Sequence, residues 1–253
     1  MGGAMLAGWL RQGVDPADVI VVEPSGRSGT EGVRAVPGPE AVPAAFQPDM
    51  VVLAVKPQMM EAALPPYARF GKAVFLSIAA GKTLGYFAGH LGDTAAVVRA
   101  MPNTPAAVGR GMTVAVANAR VPAAGRALAS ALLSAVGEVA WIEDEAQMDA
   151  VTAVSGSGPA YVFLLAEALA QAGAAAGLPA DLSARLARAT VAGAGELLHQ
   201  AAEEAAVLRQ NVTSPGGTTF AALQVLMADA DGMTPLLTRA VAAAAERSRQ
   251  LAG

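Results

Sequence analysis

The chain has 253 residues, of which 54% are hydrophobic but only 4% aromatic, so its apolar content is mostly aliphatic. This length and hydrophobicity predict one or two folded domains with a sizeable core and exclude a disordered chain. The net charge of −4 excludes a basic footprint for nucleic acid or an acidic membrane, and the lack of cysteine excludes disulfides, thiolate metal sites and a cysteine nucleophile.

No targeting or membrane-spanning segment is predicted. Arg11 follows the first apolar stretch instead of preceding it, which is the reverse of the order in a signal peptide. The longest uncharged stretch, between Asp149 and Glu167, is broken by glycine, serine and proline, unlike a lipid-facing helix. His90 and His199 are far apart in the sequence, so we expect no metal site. The lack of cysteine fits an intracellular compartment, and we expect a cytoplasmic protein.

In the first 143 residues, short apolar runs alternate with helical stretches. Helices are predicted over residues 1–12 and 122–136, and strands over residues 19–22, 50–55, 73–78, 95–100 and 112–117. Apolar runs without strict alternation are typical of parallel strands that are buried on both faces. The pattern therefore predicts a Rossmann-like, doubly wound α/β domain with a parallel sheet over residues 1–143.

The first residues match the later part of a dinucleotide-binding motif. That motif runs from a strand through Gly-x-Gly-x-x-Gly into a helix. Here Gly2 and Gly3 lead into the predicted helix directly, without a preceding strand. We therefore expect the sheet to lack its usual first strand, and we place Met1 and Gly2 at the cofactor phosphates.

After residue 143 the strand pattern stops. Helices rich in alanine and leucine are predicted over residues 149–176, 180–206, 219–228 and 235–251. Their faces carry little charge, so they are expected to be buried against each other or across a subunit interface. This pattern predicts an all-helical second domain over residues 144–253.

Three segments of small or polar residues follow predicted strands, namely residues 54–58 (AVKPQ), 77–81 (SIAAG) and 101–105 (MPNTP). In open α/β sheets, ligands bind outside the carboxyl ends of the strands. Lys56 can meet an anion there, small residues let a dinucleotide approach the backbone, and two prolines hold Asn103 in a rigid loop. For Lys56, a surface lysine in a loop is an equally good interpretation, and an ordinary turn remains the default interpretation of each segment taken alone.

A glycine-rich turn at residues 211–219 (NVTSPGGTT) enters a predicted helix. Free backbone N–H groups at such a turn bind anions, and the dense hydroxyl groups predict a site for a small carboxylate. A capped helix after a tight turn is the alternative interpretation. A second glycine-rich run, residues 155–161 (SGSGPAY), lacks the Lys-Ser of a phosphate loop and indicates close helix packing instead.

Together these motifs resemble the pyrroline-5-carboxylate reductase family over nearly the whole chain. The residues 212–219 (VTSPGGTT) are the most distinctive of them, and the start departs from the family, whose members begin with a strand and Gly-x-Gly. The resemblance implies a Rossmann domain followed by a helical dimerisation domain, and dimers that assemble further into decamers. It also implies reduction of 1-pyrroline-5-carboxylate to L-proline by NAD(P)H, the last step of proline biosynthesis.

The resemblance implies roles for individual residues. Its cofactor-binding positions are Ala54, Val55, Lys56, Pro57, Ile78, Ala79, Ala80 and Asn211, to which the strand-end argument adds Asn103. Its substrate-binding positions are Glu145, Ser214, Gly216, Gly217, Thr218 and Thr219. Among these, the Thr219 hydroxyl is expected to act at the reacting centre by fixing the ring nitrogen.

The residues after the strand at 19–22 leave the choice of cofactor open. Glu23 occupies the place of the acidic residue that binds the ribose 2′-OH of NAD. Ser25, Arg27 and Ser28 follow at once and can bind a 2′-phosphate. The family more often prefers NADPH, so we expect NADPH, with NADH as the alternative.

Two competing hypotheses differ in kind. A β-hydroxyacid dehydrogenase also joins an NADP-binding domain to a helical domain, but it uses a catalytic lysine, and here no lysine follows Lys82. The second alternative is a truncated homologue that dimerises but cannot bind the cofactor.

Overall fold

The computed structural model describes residues 1–252, which form two compact units. Unit 1 contains Met1–Gly156 together with the end of the last helix from Ala245, and unit 2 contains Ser157–Ala244. The predicted domain limit at residue 143 lies just after the last strand, which ends at Trp141, and it stays a prediction.

The described residues of unit 1 form seven strands in two sheets. They are β1 Ile20–Val22, β2 Arg34–Val36, β3 Met50–Leu53, β4 Val74–Ser77, β5 Ala96–Met101, β6 Gly111–Ala117 and β7 Gly137–Trp141. β1 and β2 pair in parallel, and the larger sheet has the order β3-β4-β5-β6-β7. The β3–β4, β4–β5 and β6–β7 pairs are parallel, whereas β5 and β6 are antiparallel.

The helices of unit 1 are α1 Gly2–Arg11, α2 Met60–Ala63, α3 Leu84–Leu91, α4 Ala123–Ser134 and α5 Met148–Val151. A π-helical turn, Thr152–Gly156, follows α5. Two apolar clusters form the core: Leu76 packs with α1 and α4 in one of them, and Phe75 packs with Met60 and Phe87 in the other. Alternate residues of one strand thus enter different clusters, so the sheet is buried on both faces.

The regular secondary structure in the described residues of unit 2 is all helical. It comprises α6 Gly158–Ala175, α7 Ala180–Gln200, α8 Ala205–Asn211, α9 Thr218–Leu226 and most of α10 Met233–Ala252. α6 and α7 lie close together, and the Ser183 hydroxyl donates to the Ala170 carbonyl at 2.7 Å. A side chain at Gly173 would collide with Ser183, which explains the glycine there.

Large apolar side chains remain exposed in unit 2. In α6, Phe163 and Leu164 are each 62% exposed, and the same helix has no buried residue. The stretch Glu145–Ala175 is long and apolar enough to cross a membrane by length and composition alone. The described residues of unit 2 therefore do not cover their own apolar surface.

The predicted Rossmann-like α/β fold with a following helical domain is confirmed, but several details of the prediction were wrong. β2 and β7 were not predicted, the helix over 180–206 ends at Gln200, and the helix over 149–176 contains the π-helical turn. β6 runs antiparallel to β5 because the connection between them, residues 102–110, is too short for a parallel crossover.

Candidate functional site

The carboxyl ends of β3, β4 and β5 meet at one edge of unit 1, because the three strands are parallel. The segment 54–57 follows β3, and the segment 78–80 follows β4. A Cβ atom added to Gly2 would lie 3.0 Å from Cβ of Ala54, so α1 begins against this edge. The structure therefore brings the predicted cofactor residues Met1, Gly2, 54–57 and 78–80 together.

Positive potential is available at the same edge. α1 has no side-chain cap and no acidic residue in its first turn. Its first backbone bond is the one from Met5 N to the Met1 carbonyl, at 3.1 Å, which leaves the N–H groups of residues 2–4 without a partner in the described chain. Lys56 is exposed, with no ion-pair partner among the described residues. These groups fit an anionic pyrophosphate.

The loop after β1 offers a cation and a hydroxyl. Ser25 and Arg27 are exposed, and Arg27 forms no ion pair or hydrogen bond within residues 1–252. The Ser28 hydroxyl, in contrast, donates to the Thr30 carbonyl at 2.7 Å and accepts from Thr30 N at 3.1 Å. Ser28 therefore shapes the loop, while Arg27 remains available to a ligand.

Both polar atoms of the Asn103 side-chain amide form hydrogen bonds. Its Oδ1 accepts from Met112 N at 2.9 Å, and its Nδ2 donates to the Ser155 hydroxyl at 3.2 Å. The side chain thus ties the loop after β5 to β6 and to the π-helical turn. The structure thus shows that Asn103 holds this loop in place, whereas its contact with the cofactor stays a prediction.

Glu145 also has partners inside unit 1. Its Oε1 lies 2.7 Å from Nη1 of Arg99, and the same oxygen accepts from Leu84 N at 2.8 Å. Arg99 was not among the residues predicted from the sequence to lie near the site. The available signal was a single arginine inside the otherwise apolar strand AVVRAM.

A buried hydroxyl lies near the segment after β4. The Tyr86 hydroxyl has no hydrogen-bond partner in the described structure, and Nζ of Lys82 lies 4.2 Å from the centre of the Tyr86 ring. Burial, with a smaller contribution from Glu61, raises the pKa of Tyr86 above its ordinary value. The side chain is therefore neutral at physiological pH.

In unit 2, the hydroxyl-rich turn connects α8 to α9. Asn211 is the exposed last residue of α8, and Thr218 begins α9. The first backbone bond of α9 runs from Ala221 N to the Gly217 carbonyl at 3.1 Å, so the N–H groups of residues 218–220 have no partner in the described chain. The hydroxyls of Ser214, Thr218 and Thr219 are likewise without one there, so donors remain available for an anion.

Two donor groups in this turn form hydrogen bonds to backbone carbonyls of the protein and are therefore not available to a ligand. The Thr213 hydroxyl donates to the Arg209 carbonyl at 2.7 Å, and Gly217 N donates to the Ser214 carbonyl at 3.0 Å. The Gly217 N–H therefore closes the turn, and the assignment of Gly217 to the substrate stays a prediction. Gly216 has a φ of +68°, a conformation that favours glycine.

Comparison with known proteins identifies the family. Residues 145–251 match the family model "Pyrroline-5-carboxylate reductase dimerisation", and residues 1–81 match "NADP oxidoreductase coenzyme F420-dependent". A pyrroline-5-carboxylate reductase structure from Coxiella burnetii superposes with a TM-score of 0.89 at 33% identity, covering 99% of this chain and 94% of that one. The chain belongs to the pyrroline-5-carboxylate reductase family.

Other relatives of this family agree. The Pseudomonas aeruginosa reductase is 47% identical over 71% of this chain. The Plasmodium falciparum reductase, solved with NADP bound, has a TM-score of 0.82 at 29% identity and covers all of this chain and 95% of its own. The matched part spans just under two thirds of the curated relatives' length, 65% for Pseudomonas and 66% for Synechocystis.

Because both polar atoms of the Asn103 side chain are hydrogen-bonded, removal of this side chain should lower the stability of the protein measurably. Asn103→Ala leaves Met112 N without its acceptor and should lower the free energy of unfolding by about 1–3 kcal/mol. Ser155→Ala removes only the longer bond and should cost less. Urea unfolding of the three proteins measures this, and equal stability of Asn103→Ala and wild type would contradict the bracing role.

Proposed function

We propose that the protein reduces 1-pyrroline-5-carboxylate to L-proline with NAD(P)H. The main support for this proposal is that a chain of this family has two surfaces able to bind ligands, one in each unit. Unit 1 offers an anion-binding edge of small residues at parallel strand ends, and unit 2 offers a helix start with free N–H and hydroxyl donors. The first is typical of dinucleotide binding, and the second suits a small carboxylate.

The residues at the edge of unit 1 fit a nicotinamide dinucleotide. Ala54, Ala79 and Ala80 carry no bulk that would keep a ligand from the backbone. The N–H groups at the start of α1 and the Lys56 ammonium group would hold the pyrophosphate. When bound, the cofactor supplies the hydride that the reduction needs. We further propose a preference for NADPH, since Arg27 and Ser25 are available to a 2′-phosphate.

The turn before α9 would hold the substrate. The N–H groups of Thr218 and Thr219 point from a helix N-terminus, where a carboxylate is stabilised by the helix dipole. The Ser214 and Thr218 hydroxyls add neutral donors, and the family resemblance assigns Asn211 to the cofactor. The Thr219 hydroxyl would fix the ring nitrogen.

Strong acid catalysis is unnecessary in this proposal. The imine nitrogen of the substrate can carry its own proton, which makes the adjacent carbon electrophilic. The protein's main contribution is then the orientation of two bound reactants, a contribution that can lower a barrier by several kcal/mol. Thr219, a very weak acid, is accordingly a positioning group.

Replacement of Thr219 tests the substrate assignment. Thr219→Ala removes one hydrogen bond to the reacting ring and should reduce kcat/KM for pyrroline-5-carboxylate by an amount equivalent to roughly 1–3 kcal/mol. Thr219→Ser should retain most of the activity. Thr213→Ala is the matched control, because its hydroxyl binds the Arg209 carbonyl. An unchanged kcat/KM in Thr219→Ala would remove this residue from the site.

Replacement of Arg27 tests the cofactor preference. Arg27→Ala should raise KM for NADPH by about tenfold, the cost of one charge-assisted hydrogen bond, and leave KM for NADH nearly unchanged. Arg34→Ala, an exposed arginine in β2, removes the same charge outside this loop. Equal changes with both cofactors would show that Arg27 does not recognise the 2′-phosphate.

We also propose that the protein is cytoplasmic and forms a dimer. In this dimer, a second copy of the chain covers the apolar surface of unit 2. The support is the exposure of Phe163 and Leu164 in α6 together with the dimerisation-family match over this part of the chain. An exposed apolar area of this kind marks an interface rather than ordinary surface. Further assembly of dimers into a decamer belongs to the same proposal.

Light scattering tests the dimer. Wild type should have at least twice the 25.2 kDa mass of one chain without detergent. Phe163→Glu should shift the protein to monomer, because a buried charge is costly in an apolar interface. Val108→Glu, at a residue of unit 1 that is 77% exposed, should leave the mass unchanged. A wild-type monomer that partitions into lipid vesicles would contradict the proposal.

A further inference from the structure

Arg99 is a charged residue in the interior of unit 1. It lies in β5 and is only 5% exposed. Across the parallel pair its neighbour is Ser77, the last residue of β4. A guanidinium group at such a depth is costly unless it is paired, and its partner is Glu145, with 2.7 Å between Nη1 and Oε1.

The carboxylate of Glu145 reaches a second element. Its Oε1 accepts from the backbone N–H of Leu84, the first residue of α3, at 2.8 Å. This N–H is one of the donors that a helix leaves unpaired at its start, and a negative charge is favourable there. The adjacent Thr83 hydroxyl accepts from Tyr86 N at 3.1 Å. Glu145 and Thr83 thus supply acceptors for two N–H groups in the first turn of α3, those of Leu84 and Tyr86.

The segment between β4 and α3 is consequently held at both ends. At the β4 end, the Ser77 hydroxyl accepts from Ala79 N at 3.2 Å. At the α3 end, Glu145 holds Leu84. Between them, Gly81 turns the chain with a φ of +73°. This segment contains Ala79 and Ala80, where the proposed function places the cofactor, and Ile78, a cofactor position implied by the family resemblance.

We propose that Glu145 and Arg99 are positioning residues for the cofactor segment, and that Glu145 does not act as a substrate ligand. Arg99 fixes the carboxylate from the sheet, and the carboxylate fixes the start of α3. The position of residues 78–83 against the strand ends then follows from this chain of contacts. The proposal rests on the proposed function for the identity of the cofactor.

Direct NADPH titration of Glu145 variants, followed by cofactor fluorescence, tests the proposal without turnover. Glu145→Ala removes the acceptor for Leu84 and should raise Kd for NADPH by about tenfold or more, with KM for pyrroline-5-carboxylate within about twofold. Glu145→Gln keeps a carbonyl oxygen and should have an intermediate Kd. Glu143→Gln is the matched control, because Glu143 pairs with Arg126 on the surface, at 3.0 Å.

A double variant separates positioning from stability. Arg99→Met with Glu145→Met removes both charges together, and replacing an ion pair by apolar residues of similar volume often preserves stability. We expect its urea midpoint near that of wild type, with the Kd for NADPH still raised, because Leu84 N lacks an acceptor. If the Kd returned to the wild-type value together with the urea midpoint, the pair would be merely structural and the proposal would be overturned.

Hydrogen exchange gives a readout in the absence of any ligand. Peptides covering residues 78–86 should exchange faster in Glu145→Ala and Glu145→Gln than in wild type or Glu143→Gln. A raised KM for pyrroline-5-carboxylate with unchanged NADPH affinity and exchange would assign Glu145 to the substrate and overturn the proposal. A wild type that binds NADPH but does not reduce this substrate would leave the positioning role standing and overturn only the proposed reaction.

Discussion

The burial of short parallel strands on both faces is the constraint on which the site in unit 1 depends. Residues of β4 enter both apolar clusters, so the strand itself has no face left for a ligand. Its backbone groups are paired along both edges with β3 and β5. Groups that could meet a ligand therefore have to come from the strand ends, and parallel pairing gathers those ends at one edge. In unit 1, ligand binding is therefore expected only at the segments that follow the strands.

Within that apolar sheet, one ionic contact extends from the interior towards the edge. Arg99 and Glu145 connect β5 to the first turn of α3, and Asn103 connects the loop after β5 to β6 and to the π-helical turn. Glu145 and Asn103 each accept from a backbone N–H, that of Leu84 and that of Met112 respectively. Polar side chains in unit 1 thus brace segments next to the strand ends, whereas Lys56 and Arg27 stay available at the surface.

Much of this arrangement was predictable from sequence because it depends on local patterns. The apolar runs identified five strands, and the segments after them identified the edge. β7 was missed because Glu138 interrupts its apolar run. The antiparallel direction of β6, in contrast, could have been predicted, because residues 102–110 are too few for a parallel crossover. The engagement of Asn103 and Glu145 could not be predicted, since their partners Ser155 and Leu84 lie 52 and 61 residues away. Sequence resemblance indicates that a position matters, but not which atom it contacts.

The chemistry of the proposed substrate explains why neutral donors suit the turn before α9. A protonated pyrroline-5-carboxylate carries its positive imine nitrogen and its negative carboxylate on one small ring. An arginine that paired with the carboxylate would also lie near that nitrogen. At roughly 5 Å and an effective dielectric constant of about 20, the repulsion would be about 3 kcal/mol and would favour loss of the proton that makes the carbon electrophilic. Hydroxyl groups and helix-start N–H groups can hold the carboxylate with much less of this repulsion. In this chain the nearest arginine in sequence, Arg209, contacts Met227 Sδ through its Nη1 at 3.2 Å.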